Sequence, residues 1–127
     1  NQLAHTYMQS RNDTYVMELA IQYIRRNYPK PITLAMVSNE VSLNYAYFST
    51  MFSKYTGKTF SEYLRNTRME KAKELLRQPD ISIAEVAAQV GYENYKSFYR
   101  AFKDAVGTTP VEYQQKKYRI HREDEKQ

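Results

Sequence analysis

Three cations, Lys96, Arg100 and Lys103, recur at intervals of three or four residues, so they would share one face of a helix. Phe98 and Phe102 fall on the opposite face and are predicted to pack inward with Ala101 and Ala105. A guanidinium can bond in a paired manner to O6 and N7 of guanine, whereas a lysine ammonium suits phosphate. The outward set predicted for this helix is Tyr95, Lys96, Tyr99, Arg100 and Lys103. This pattern favours a polyanionic partner, with Arg100 as the base-reading candidate.

A second helix of the same design lies earlier in the chain and is nearly uncharged. Its predicted inward residues are Phe48, Met51, Phe52 and Tyr55. The outward set consists of Ala46, Tyr47, Ser49, Thr50 and Ser53, with Lys54 placed to meet phosphate. Ala46 and Thr50 can meet thymine methyl groups, and Ser49 can bond to either kind of base pair.

These two helices belong to a duplicated unit, in which Ile32 to Tyr63 and Ile81 to Tyr113 follow the same pattern. The offset is 49 residues at the first members and becomes 50 by Phe48 and Phe98, so one residue is inserted between the two predicted helices of the second copy. A duplicated helix pair on a basic chain is best explained by a ligand that itself repeats, such as duplex DNA.

Helix-start and helix-stop signals predict an all-α fold of seven helices. The predicted N-caps are Asp13, Thr33, Asn44, Thr59, Ser82, Asn94 and Thr109. Gly57 and Gly107 would end the two outward-facing helices in the left-handed conformation. The helix after Thr59 is the longest in the duplicated region, from about Phe60 to Arg77, before Pro79.

Composition limits the function classes. The 127 residues carry a net charge of +5 and a pI of about 9.3, which suits a polyanion. Cysteine is absent, and His5 and His121 stand in polar flanks without companion ligands, so no metal, cofactor or catalytic residue is expected. No apolar stretch approaches the roughly 20 residues of a membrane-spanning helix. We therefore expect a cytoplasmic protein that is not an enzyme and has no membrane partner.

The chain resembles the DNA-binding domain of AraC/XylS-type transcription activators over roughly residues 15–119. The second half carries the family pattern as Ile83-Ala84-Glu85-Val86-Ala87, Val90-Gly91-Tyr92, Phe98, Arg100, Phe102-Lys103, Gly107, Thr109-Pro110 and Tyr113. The first half carries Phe48-Ser49, Phe52, Gly57, Thr59-Phe60, Tyr63-Leu64, Arg68, Ala72 and Leu75-Leu76. Gln114 and Thr50 stand where the family commonly has arginine, and both differences bear on expected DNA contacts.

The resemblance implies two homeodomain-like helix-turn-helix subdomains joined by one long linker helix. The linker would be about 27 Å long. Successive major grooves on one face of DNA lie about 34 Å apart, so one monomer could read both. The predicted organisation is 1–12, a linker from an upstream domain; 13–58, the first subdomain; 59–78, the linker helix; 79–119, the second subdomain; and 120–127, a charged tail.

The phrase from Tyr23-Ile24 to Tyr28, followed by Ile32-Thr33-Leu34, looks most like the subgroup in which this domain ends a two-component response regulator. The partners implied are double-stranded DNA, an upstream regulatory domain in the same chain and RNA polymerase, with the isolated domain monomeric. The alternative function is a helical protein-interaction module whose basic face meets an acidic partner protein.

Overall fold

The structure is a computed structural model that describes the backbone of residues 2–117 and the side chains of residues 12–117. Within this range the chain forms seven helices and no strand, which confirms the all-α prediction. The helices are α1 (Gln2–Asn27), α2 (Leu34–Glu40), α3 (Tyr45–Thr56), α4 (Phe60–Leu75), α5 (Ile83–Gln89), α6 (Tyr95–Val106) and α7 (110–117). The predicted tail, 120–127, lies outside the described residues.

Capping residues define both ends of the two outward-facing helices. The Asn44 side chain accepts hydrogen bonds from the backbone N–H groups of Ala46 and Tyr47, at 2.9 and 3.2 Å. Asn94 does the same for one N–H of α6. At the other ends, Gly57 and Gly107 have φ angles of 75° and 93°, so each takes the left-handed conformation predicted for it.

Asp13 does not cap the first helix, so that prediction is wrong. α1 begins at Gln2, which places Asp13 in the interior of the helix. The residues before Asp13 lack clear apolar periodicity, but a long helix needs buried residues on only part of its length. Because the backbone of 2–12 is helical, the assignment of these residues as a linker stays a prediction about their role alone.

α4 is followed by a tighter turn that covers the last two residues of the predicted helix, Leu76 and Arg77. α4 ends at Leu75, two residues before Arg77. The N–H groups of Arg77 and Gln78 bond to Glu74 and Leu75, three residues back, at 3.3 and 3.1 Å. Such bonds satisfy the terminal carbonyls of a helix just before Pro79 stops it.

The chain divides into two compact units, with the division between Leu64 and Arg65 inside α4. In the first unit, α1, α2 and α3 pack against one another, and Phe60 of α4 joins their core. Its fully buried residues include Ile24, Val37, Phe48 and Phe52. The core brings the apolar side of α3 inward and leaves the opposite side accessible.

The second unit repeats this construction with the remaining helices. α5 packs against α6, and the buried residues comprise Met69, Ala72, Leu76, Val86, Ala87, Val90, Phe98, Phe102 and Pro110. Phe98 and Phe102 are fully buried, as are their counterparts Phe48 and Phe52. The same pair of aromatic residues therefore anchors each outward-facing helix.

Candidate nucleic-acid interface

The outer face of α6 is accessible along its length. Tyr95, Lys96, Arg100 and Lys103 are exposed, and Tyr99 is half-buried beside Tyr95, with ring centroids 6.0 Å apart. The structure thus brings the three predicted cations together on one surface. Arg100 lies in the second turn of α6. It would be within reach of a base edge that the N-terminal part of this helix approached.

The outer face of α3 is also accessible but has a different character. Ala46, Tyr47, Thr50 and Lys54 are exposed, and Ser49 and Ser53 are half-buried. Lys54 is the sole cation of this set. Base recognition here would rest on methyl, hydroxyl and phenol groups, which discriminate by shape and by single hydrogen bonds.

The predicted inward positions fail at one place in each unit. Tyr55 of α3 is 40% exposed, and Ala105 of α6, which occupies the equivalent position, is exposed as well. Each stands in the last turn before the capping glycine. The helical period places both residues on the inner side of their helices. Burial also requires a neighbouring helix that covers the last turn, and the period of one helix carries no information about where its neighbours end.

Two carboxylates of α1 contact two tyrosines of α3, a relationship that sequence reasoning missed. The Tyr47 hydroxyl donates to the Asp13 carboxylate, with oxygen separations of 3.1 and 3.0 Å. The Tyr55 hydroxyl donates to Glu18. This bond raises the pKa of Tyr55, with burial and the Glu18 charge adding to the effect. A negative charge from α1 therefore stands beside the candidate DNA-facing surface of the first unit.

In the second unit, positive charge lies near the start of α6. The Arg68 guanidinium lies over the ring of Tyr92, 5.4 Å from its centroid, just before the Asn94 cap of α6. Burial raises the pKa of Tyr92, while the charges of Arg68 and Arg65 oppose that rise. Both arginines belong to α4, so this helix contributes charge near the start of α6.

Gln114, where arginine is common in the family that the sequence resembles, has a structural role in this chain. Its side-chain amide donates to the backbone carbonyls of Gln78 and Ile81, both at 2.9 Å. These bonds tie α7 to the segment between α4 and α5. The amide is thus engaged within the second unit.

Among residues 12–117, no three His, Asp or Glu side chains are grouped so as to hold a metal ion. In the same part of the chain, no helix combines the length and apolar character that crossing a membrane requires.

Comparison with known proteins identifies the family. A family model described as a helix-turn-helix domain matches residues 37–116. The chain belongs to the AraC/XylS family. It contains the DNA-binding domain of a transcriptional regulator, and the matched region runs from within α2 through α3, α4, α5 and α6.

Individual relatives agree with this assignment. The xylose operon regulatory protein of Escherichia coli K12 is 32% identical over 108 residues, which cover 85% of this chain and 27% of that protein. The C-terminal domain of AraT, a response regulator from Geobacillus stearothermophilus, is 34% identical with a TM-score of 0.77, over 80% of this chain and 84% of that one.

The DNA-binding domain of AdpA, solved in complex with a target DNA, shares the fold of the AraC/XylS domain. Its TM-score is 0.77 at 21% identity, over 84% of this chain and 95% of that one. The chain spans only 13% to 36% of the length of four curated relatives that it matches.

Proposed function

We propose that α3 and α6 are the two reading helices of this AraC/XylS domain and enter successive major grooves of one DNA duplex. The observation that carries the proposal is the outer face of α6, where Lys96, Arg100 and Lys103 are exposed opposite the buried Phe98 and Phe102. A reading helix of a helix-turn-helix protein presents its N-terminal residues to base edges in this manner.

The outer residues have distinct roles in this proposal. Arg100 bonds to a guanine, and Lys54, Lys96 and Lys103 meet phosphates. On α3 the readers are Ala46, Tyr47, Ser49, Thr50 and Ser53; on α6 Tyr95 and Tyr99 complete the surface. The accessible position of every one of these residues, at least in part, supports the assignment.

We further infer that the domain is the output domain of a response regulator and that one copy binds DNA as a monomer. The likeness to the AraT domain supports the first point, and the duplication of the reading unit within one chain supports the second. In such a regulator, an upstream domain controls DNA binding, activation proceeds through RNA polymerase, and the protein works in the cytoplasm, where the DNA lies.

Site selection followed by footprinting tests the two-reader model. A selected duplex should show protection over about two helical turns on one face, with a 1:1 complex in sedimentation. The logarithm of affinity should fall linearly with the logarithm of salt concentration, because phosphate contacts release counterions. Protection confined to one major groove would overturn the model. Affinity for acidic polypeptides equal to that for duplex DNA would instead favour a protein-interaction module.

A further inference from the structure

Each unit has a supporting helix as well as a helix-turn-helix pair, and the supporting helices of the two units are equivalent. α1 and the segment that begins with α4 bury the same kinds of residue at a constant offset of 52 positions. The matched pairs are Met17 with Met69, Ala20 with Ala72, and Ile24 with Leu76, and all six side chains are at most 2% exposed. The two segments are therefore equivalent supports, one in each unit.

The same offset pairs Asp13 with Arg65, so equivalent positions carry opposite charges. Asp13 bonds to Tyr47, the third residue of α3. Arg68, one turn beyond Arg65 on α4, lies over the ring of Tyr92, 5.4 Å from its centroid, and Tyr92 stands two residues before the cap of α6. Because residues three apart share one face of a helix, Arg65 lies on the side of α4 that faces this end of α6. Asp13 and Arg65 are therefore both near the N-terminal part of the reading helix in their own units.

The position is one where charge affects DNA binding. When the start of a reading helix enters the major groove, phosphates of both strands flank it. At physiological salt the Debye length is about 8 Å, so charges closer than this are only partly screened from one another. A cation at this position adds attraction to phosphate, and a carboxylate subtracts from it.

We propose that this equivalent position sets how strongly each unit binds the DNA backbone: Arg65 contacts a phosphate beside α6, and Asp13 repels phosphate beside α3. The inference rests on the proposed reading roles of α3 and α6. The second unit is then the electrostatic anchor, whereas the first unit binds chiefly through base contacts. The hydrogen bond from Tyr47 holds the Asp13 carboxylate at the edge of the reading surface.

Two charge-removing variants test the proposal, each measured on the selected duplex and on random DNA across a salt series. Asp13→Asn keeps an oxygen that can accept from Tyr47 but removes the charge, and it should tighten binding by about threefold to tenfold at 0.1 M salt. Arg65→Gln should weaken binding by a similar factor and reduce the salt slope by about one unit.

Glu74→Gln is the matched control, because it removes a carboxylate nine residues beyond Arg65, about 14 Å further along the helix direction. Its effect on affinity should stay below about twofold.

Circular dichroism establishes that each variant is folded, and Asp13→Ser replaces Asp13→Asn if the latter is not. Unchanged or weaker binding by the folded Asp13 variant, or an unchanged salt slope for Arg65→Gln, overturns the proposal. Absence of DNA binding by the unaltered chain would instead refute the proposed function.

Discussion

The rings of Phe52 and Tyr63 meet edge to face, with centroids 5.3 Å apart and planes inclined by 81°. Phe102 and Tyr113 repeat the arrangement in the second unit, at 5.5 Å and 76°. In each unit the phenylalanine belongs to the proposed reading helix and the tyrosine to the helix that follows. The pair therefore fixes the inner side of the proposed reading helix, and with it the direction of the outer side.

Replacement of either phenylalanine should destabilise its unit strongly. Phe52→Ala and Phe102→Ala remove fully buried rings, and each should lower the free energy of unfolding by about 3–5 kcal/mol. Met36→Ala is the control, because Met36 is 45% exposed on α2, and its effect should stay within about 0.5 kcal/mol. Thermal or urea unfolding measures the difference. A loss below about 1 kcal/mol at Phe52 or Phe102 would contradict the packing described.

Helix ends could be predicted from the sequence because a cap involves residues only two or three positions apart. Asn44, Asn94 and Ser82 cap as expected, and Glu112 and Thr109 form both bonds of their capping box, at 3.3 and 3.1 Å. The cations of α6 were likewise predictable, because the helical period separates them from two large apolar residues.

Contacts between distant positions could not be predicted in this way. Tyr47 and Asp13 are 34 residues apart, and Gln114 bonds to carbonyls 36 and 33 residues earlier. A polar residue on a predicted surface has the same pattern whether it faces solvent or a neighbouring helix. The acids on α1, five positions apart at Asp13 and Glu18, were the available signal, but it becomes meaningful only when the packing of α1 against α3 is known.

Ser42 and Gly91 occupy equivalent turns and differ in backbone strain. Ser42 has a φ angle of 58°, and Gly91 has 105°. A left-handed conformation costs a residue with a Cβ atom about 1–2 kcal/mol, and replacement by glycine relieves this strain. Part of the relief is lost, because glycine has greater conformational freedom in the unfolded chain. Ser42→Gly should therefore raise the free energy of unfolding by about 0.5–1 kcal/mol, as measured by urea denaturation.

Gly91→Ser is the reciprocal variant at this turn. It should lower the free energy of unfolding by about 1 kcal/mol or more, because it places a Cβ atom in the left-handed region. The paired bonds around the turns are alike: Leu43 bonds to Ser38 and Tyr92 to Ala87, both at 2.9 Å. If Ser42→Gly instead lowers the free energy of unfolding, the Ser42 side chain contributes more stability than the left-handed backbone costs, and the prediction is wrong.

Gln114 should prove to be a stability residue. Gln114→Ala removes the donor to the carbonyls of Gln78 and Ile81, one bond exposed and the other part-buried, which should cost about 0.5–1.5 kcal/mol in chemical unfolding. Gln115→Ala, at the exposed neighbouring position, should cost less than about 0.5 kcal/mol. Gln114→Arg should retain most of the stability, because a guanidinium offers several N–H donors. Equal losses for the alanine variants at 114 and 115 would contradict the role assigned to the amide.

Arg100 and Lys103 should differ in the kind of DNA contact they make. Both are exposed on α6, but Arg100 lies one turn nearer the N-terminus, the part of a reading helix that approaches base edges. Arg100→Ala should weaken binding to the selected site by about 1–3 kcal/mol and relax the preference at one position, a G·C pair. Lys103→Ala should weaken binding evenly across sequences and lower the salt slope by about one unit.

Thr50→Ala, at the position of α3 equivalent to Arg100, is the matched control, because it should leave the salt slope unchanged. Site selection with each variant decides the matter: if Arg100→Ala lowers affinity but leaves every preferred base unchanged, then Arg100 contacts phosphate and the base-reading role is wrong.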